Sequence, residues 1–271
     1  MISIPSRYSI RHYVDVRQWA RQRIAMVLAG MPSMFAKPVD LECRFAFIVG
    51  CGHSGTTLAA TRLGAHPEIM LIGRESNAFS PAKGLHCTRN IVREWAHFAN
   101  ASEKKMVLEK TPKHVQRIGA IFKLIPNAKV VAITRNPLDN VASLYSRYGD
   151  LDAAIGRWIV DNSTLVACLG GKYRDNIKVL RYEELVNEPE LVMSDLVEFV
   201  GLPWSERLID INGNSGILWR ASSTAHQLNR QSQVSEKIVP RVDSWKRVLG
   251  VKDVEQVRVK TEVVAKSLGY A

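Results

Sequence analysis

Cysteine is scarce in this sequence: four among 271 residues, Cys43, Cys51, Cys87 and Cys168, with no C-x-x-C pair. Thiols so few and so scattered indicate neither a zinc site nor a disulfide framework, and a reducing cytoplasm suits them best. Long apolar runs are missing too. The stretch IAMVLAGM (Ile24–Met31) is far shorter than the roughly 20 residues a membrane-crossing helix needs. Aromatic residues make up only 7% and do not interleave with basic ones in a recognition motif, which sets nucleic acid aside as a partner. No repeat, low-complexity tract or obvious linker divides the chain.

What is present is ordinary for one large globular domain: 46% hydrophobic and 23% charged residues, enough to bury a sizeable core. The net charge of +11 suits an anionic ligand. Arg7, Arg11, Arg17, Arg21 and Arg23 precede the short apolar run. Residues 1–40 are therefore expected to form a basic N-terminal helical extension packed on the domain, with residues 41–271 as the domain itself. Peripheral contact of residues 1–40 with an anionic membrane surface is the alternative. A signal peptide would place its charges closer to the start and show a small-residue cleavage site.

A glycine-rich stretch, FIVGCGHSGTTL (Phe47–Leu58), carries the sharpest signal. A nucleotide triphosphatase loop reads G-x-x-x-x-G-K-[ST], with lysine on the terminal phosphates and the hydroxyl on Mg²⁺. Gly50 and Gly55 keep that spacing, but Thr56 stands where the lysine belongs and Thr57 follows. Backbone N–H groups in such a turn, followed by a helix N-terminus, still make an anion site. Gly52 eases the turn, and Ser54, Thr56 and Thr57 add hydroxyls, so the loop suits an anion bound without metal.

The surrounding pattern places the loop between strand and helix. RFAFIVG (44–50), IMLI (69–72), KMVLEK (105–110) and AKVVAITR (128–135) read as buried strands, and IKVLRYEEL (177–185) as a strand running into a helix start. KHVQRIGAIFKLI (113–125) puts Val115, Ile118, Ile121, Phe122 and Ile125 on one helical face. Asn136 is the expected cap, Pro137 the first turn and Gly149 the stop of the next helix. Further helices are expected over about 152–169, from Pro189 to Gly201, and over about 254–268. The alternation predicts an α/β fold: a P-loop-like three-layer domain with a central parallel sheet flanked by helices. Ligands then collect at the carboxyl ends of the strands.

The blocks GCGHSGTTL, EKTPKH, ITRNPLDNVASLYSR and LRYEELVNEPELVMSDLVEFVGLPW, in this order from about Phe45 to Trp204, resemble sulfotransferases that use 3′-phosphoadenosine 5′-phosphosulfate (PAPS). The resemblance is nearest to the branch of bacterial and protein-tyrosine sulfotransferases, weakens toward the C-terminus, and is absent over residues 1–40. It implies that Gly52, His53, Ser54, Gly55, Thr56 and Thr57 wrap the 5′-phosphosulfate without metal. It implies that Arg135 and Ser143, with Arg147 one turn further, bind the 3′-phosphate, and that Tyr182 lies near the nucleotide. His53 departs from the family's usual Arg or Lys. An imidazole still donates a hydrogen bond to the leaving oxygen, an oxyanion-hole role, and a nearby dianion favours its doubly donating form.

Lys110 matches the family lysine beside the transferred group, whereas Glu109 is expected to support the loop rather than react. Glu75 falls, after a one-residue insertion, where the protein-tyrosine branch keeps its general base; His86 and His114 are the alternatives. The stretch QSQVSEKIVPRVDSWKRVL (231–249) resembles a lid over the nucleotide, in which Ser232, Ser235, Lys237 and Arg241 are all candidates and Ser235 is carried forward. The implied products are 3′,5′-ADP and a sulfate ester. The hydroxyl-bearing acceptor is expected to be a saccharide or glycoconjugate, with a small-molecule alcohol or phenol next. A P-loop nucleotide kinase or NTPase, which needs the missing lysine, is the contrasting reading, and a non-catalytic anion- or nucleic-acid-binding protein the third.

Overall fold

The computed structural model describes residues 38–39, 41–210 and 241–270. Five strands, β1 (Arg44–Gly50), β2 (Ile69–Leu71), β3 (Met106–Lys110), β4 (Lys129–Thr134) and β5 (Ile177–Arg181), form one sheet in the order β2-β3-β1-β4-β5. Every pairing is parallel, and β1 lies at the centre with Ile48 opposite Lys110 and Gly50 opposite Ile133. Parallel neighbours need crossovers, and helices supply them. These are α1 (Thr56–Gly64), α2 (Gly84–Ala101), α3 (Ile118–Leu124), α4 (Pro137–Tyr148) and α5 (Leu151–Leu169), and α6 (Tyr182–Asn187), α7 (Pro189–Val200) and α8 (Val251–Ser267) follow β5.

Side chains alternate across the strands, so the core splits into two layers. Phe45, Phe47 and Val49 of β1 pack with Val107, Val130 and Ala132 toward Val92, Phe122, Val141, Trp158 and Val257 of α2, α3, α4, α5 and α8. Ala46 and Ile48 face the other way and meet Ala59, Ala60 and Leu63 of α1 and Met193 and Leu196 of α7. Burying one such large apolar side chain contributes about 1.5–3 kcal/mol, so the two layers fix the strand faces and hence the sheet register. The expected three-layer architecture is what the chain adopts.

Local signals explain most boundaries. The Asn136 side chain accepts from the Leu138 N–H, Pro137 opens α4, and Gly149 ends it in the left-handed region (φ 69). Two details differ from expectation. The helix expected from 113 begins as a 3₁₀ turn, Pro112–Arg117, and becomes α-helical only at Ile118. Its apolar face is nevertheless buried as expected. Helix α2 was not anticipated, although Leu85, Thr88, Val92, Trp95, Ala96 and Ala99 recur at helical spacing and are buried. Most of the expected basic extension, residues 1–37, lies outside the described residues. Val39 is buried, and its N–H bonds the Leu124 carbonyl at 2.9 Å.

Candidate active site

All strands point one way, so their carboxyl ends bring together segments that are distant in sequence. The loop of residues 51–55 leaves β1 there, Lys110 ends β3, Arg135 follows β4, and Tyr182 follows β5. Glu75 lies four residues beyond the end of β2. These expected site residues share one edge of the sheet.

The loop is held open by its neighbours rather than by its own side chains. Gly55 precedes α1 with φ 97 and no side-chain cap, which leaves the first N–H groups of a nine-residue helix facing outward from its start. A Cβ on Gly55 would come within 2.5 Å of the Tyr182 ring, so only glycine fits. Ser54 and Thr56 are buried, and the Ser54 hydroxyl has no partner among the described residues. Asn140 donates from Nδ2 to the Gly52 carbonyl at 2.8 Å, tying the loop to α4. Beneath it, the buried Cys51 lies against Asp161, which also receives Gln116 at 2.5 Å and the Arg157 guanidinium. Burial pushes the Cys51 thiol well up, with the Asp161 carboxylate adding to it, so the thiol stays protonated and acts as a small packing residue.

His53 adopts a positive φ of 67, a strained choice for a non-glycine residue, and this presents its ring to α4. Its Nδ1 lies 2.8 Å from Ser143 Oγ. Arg135 is 6% exposed, and its guanidinium joins three segments. One terminal nitrogen donates to the His53 carbonyl at 3.2 Å, the other donates to the Arg241 carbonyl, and the plane lies 4.5 Å from the Tyr182 ring centroid. Its Nε is buried without a partner among the described residues. Arg135, Ser143 and His53 thus form one cluster. Arg147 sits one helical turn beyond Ser143, on the exposed side of α4. Tyr182 packs against Gly55 and Arg135, and its hydroxyl accepts the Arg241 N–H at 3.2 Å.

The second cluster lies at the end of β3. Lys110 is 1% exposed and donates to Glu75 Oε1 at 2.8 Å, while the Glu75 side chain is 35% exposed. A buried cation is thereby paired with a carboxylate that faces solvent. Glu109 points the opposite way into the core. It accepts from Ser76 N (3.3 Å), Ser76 Oγ (2.7 Å), Thr111 Oγ1 (2.6 Å) and His114 Nδ1 (3.1 Å). Burial alone would push the Glu109 carboxyl up, but these donors, His114 first, hold it below its ordinary value of 4.5. Because Ser76 follows Glu75, Glu109 fixes the loop that presents Glu75 to Lys110.

His114, one alternative base, is committed elsewhere. Its Nε2 accepts the Phe79 N–H at 3.2 Å, so Nδ1 carries the proton donated to Glu109. No lone pair remains for an acceptor proton. His86, the other alternative, is exposed on α2.

Sequence reasoning missed two anchors. Asn140 is one, legible in hindsight because it lies one turn after Asn136. Asp139 is the other: buried, it accepts from Asp243 N (2.9 Å), Ser244 Oγ (2.8 Å) and Trp245 N (3.0 Å). These bonds seat the segment from Arg241 to Trp245 against the Arg135 cluster, a contact spanning about a hundred residues that no linear pattern announces. Ser232, Ser235 and Lys237 lie outside the described residues. Among the described residues, no group of three or more His, Cys, Asp or Glu gathers as a metal would require, and no helix is long and apolar enough to cross a membrane.

Comparison with known proteins agrees with this geometry. A family model described as the sulfotransferase family matches residues 86–206, which include Lys110, Arg135, Ser143, Arg147 and Tyr182. The chain is 24% identical over 197 residues to protein-tyrosine sulfotransferase A of Caenorhabditis elegans, covering 61% of this chain and 52% of that protein. It is 27% identical over 200 residues to an uncharacterized protein of Aquifex aeolicus (strain VF5), covering 60% of this chain and 26% of that protein. The chain therefore spans about half or less of these curated relatives. Among solved structures, it superposes on the sulfotransferase domain of the Synechococcus PCC 7002 olefin synthase with a TM-score of 0.63 at 18% identity, covering 87% of this chain and 98% of that one. A mouse sulfotransferase, SULT7A1, complexed with PAP gives 0.54 at 15% identity, covering 89% and 93%. The order of the motifs and the matched segment make the central part of this chain similar to sulfotransferases, and its parallel sheet with a central glycine loop is the fold of the sulfotransferase structures it superposes on.

Proposed function

We propose that the chain transfers a sulfuryl group from PAPS to a hydroxyl of an acceptor. The observation that carries this is the convergence of Arg135 and Ser143 on loop residue His53, which sets the residues proposed for a 3′-phosphate beside the loop proposed for a 5′-linked anion. The residues fit such a ligand. An uncapped helix start, the buried Ser54 hydroxyl and the buried Arg135 Nε are donors without partners among the described residues, and buried donors are rarely left so unless a ligand takes them.

PAPS would supply an activated sulfuryl group and leave as 3′,5′-ADP. The loop from Gly52 to Thr57 would hold the 5′-phosphosulfate through backbone N–H groups and hydroxyls. Arg135 and Ser143, extended by Arg147, would hold the 3′-phosphate, and the guanidinium fork suits that dianion. His53 would donate to the leaving oxygen. Lys110 would place positive charge beside the sulfuryl oxygens. Glu75, paired with Lys110 yet open to solvent, would take the proton from the acceptor hydroxyl. The strongly basic chain favours an anionic or sugar-containing acceptor, with a saccharide or glycoconjugate first and a small alcohol or phenol next. The free cysteines Cys43, Cys51, Cys87 and Cys168 fit a reducing cytoplasm.

Titration calorimetry with 3′,5′-ADP and with ATP, each with and without Mg²⁺, tests the donor. Tighter metal-independent binding of 3′,5′-ADP is expected, and equal affinity for the two nucleotides would overturn the reading. A screen of saccharides, phenols and alcohols with labelled PAPS then identifies the acceptor.

A further inference from the structure

One buried hydroxyl lies outside the set described above. After α8, Gly269 turns the chain with φ 76, and Tyr270 returns to the carboxyl edge of the sheet. Arg181, the last residue of β5, secures this return. It donates to the carbonyls of Leu268 at 3.3 Å and Gly269 at 2.9 Å, and it lies 5.2 Å from the Tyr270 ring centroid. A Cβ on Gly269 would collide with the Arg181 guanidinium at 2.1 Å, so the approach needs glycine.

The Tyr270 hydroxyl lies 3.2 Å from Glu183 Oε2 and 3.1 Å from Thr134 Oγ1. A phenol has one proton and a carboxylate can only accept, so Tyr270 donates to Glu183 and accepts from Thr134. The other carboxylate oxygen, Glu183 Oε1, accepts the backbone N–H of Asn136 at 2.9 Å. Thr134 and Asn136 are the two residues flanking Arg135. Asn136 is also the cap of α4, the helix that carries Ser143. One hydroxyl therefore grips the chain on both sides of Arg135, directly before it and through Glu183 after it.

We infer that Tyr270 is a positioning residue for the 3′-phosphate half of the nucleotide site, fixing the direction in which Arg135 leaves β4 and α4 begins. The inference rests on reading Arg135 and Ser143 as the 3′-phosphate residues. Ordinary packing would explain the buried ring. It does not require both hydrogen bonds to flank the one arginine.

The test compares 3′,5′-ADP with 5′-AMP, which differ only in the 3′-phosphate, by calorimetry on the full chain. Tyr270→Phe keeps the ring and removes the grip, and Glu183→Gln weakens the same relay from its middle. Each is expected to weaken 3′,5′-ADP about three- to tenfold while 5′-AMP changes by less than about twofold. The double variant should be no worse than the poorer single one, because both interrupt one chain of contacts. Equal weakening of both ligands, or unchanged 3′,5′-ADP binding in both single variants, would show a purely structural role whatever happens to Tm. If the parent binds both ligands equally, it is the 3′-phosphate assignment of Arg135 that fails, and this inference goes with it.

Discussion

Replacing Glu75 by Gln separates its proposed role as base from its ion pairing with Lys110. Removing a general base costs about 10²–10⁴ in rate, so kcat should fall by that factor while 3′,5′-ADP affinity stays within about twofold of the parent. The loop itself should not move, because Ser76 remains held by Glu109 through its N–H and its hydroxyl. Stability should change as well, since Lys110 is 1% exposed and loses its carboxylate. Breaking a fully buried pair costs about 3–5 kcal/mol and an exposed one about 0–1. With Glu75 at 35% exposure, solvent screening brings the expectation to about 1–2 kcal/mol, or roughly 2–8 °C in Tm for a chain of this size. The assay is single-turnover transfer from labelled PAPS across pH, with a thermal scan on the same samples. A loss of less than about threefold with an unchanged pH profile would place the base elsewhere. His114 would not be next, because both its nitrogens are engaged with Glu109 and Phe79.

Further outcomes follow from the neighbouring residues. His53→Ala should cut turnover and leave 3′,5′-ADP affinity nearly intact, and His53→Lys should retain more activity than Ala; full turnover in the Ala variant would leave Lys110 as the main electrophilic group. Arg135→Ala should weaken 3′,5′-ADP by about ten- to a hundredfold, the loss of one charge-assisted contact of about 1.5–3 kcal/mol, and calorimetry showing no change would refute its role. It should also lower Tm, since the guanidinium joins the His53 and Arg241 carbonyls. Glu109, held below 4.5, contributes stability that is present above that pH and is lost as pH falls through its lowered native value. Acid titration of Tm should therefore be steeper in the parent than in Glu109→Gln, and superimposable slopes would exclude this contribution.

Sequence alone determined the local pieces. The Gly50–Gly55 spacing flush against an apolar run marks a loop between strand and helix, because glycine permits the turn and an apolar run of that length must be buried. Asn136, Pro137 and Gly149 marked both ends of α4, since capping and stopping a helix are decisions of a few adjacent residues. The spacing of Ser143 and Arg147 was readable for the same reason: one helix carries both, and Arg135 directly precedes its cap. Helix α2 was legible too, in the period of Leu85, Val92, Trp95 and Ala99, but passed unread. Tertiary structure decided the pairings. Strand order sets Lys110 beside Glu75, and only the packed fold shows that Glu109 turns inward to hold Ser76 while His114 is consumed on both nitrogens. The seat that Asp139 gives residues 243–245, and the grip of Tyr270 on either side of Arg135, join segments about a hundred residues or more apart. Periodicity and caps are written in neighbouring residues, whereas a hydrogen bond across the sheet edge depends on which strands lie side by side, and that is settled only when the two core layers close around β1.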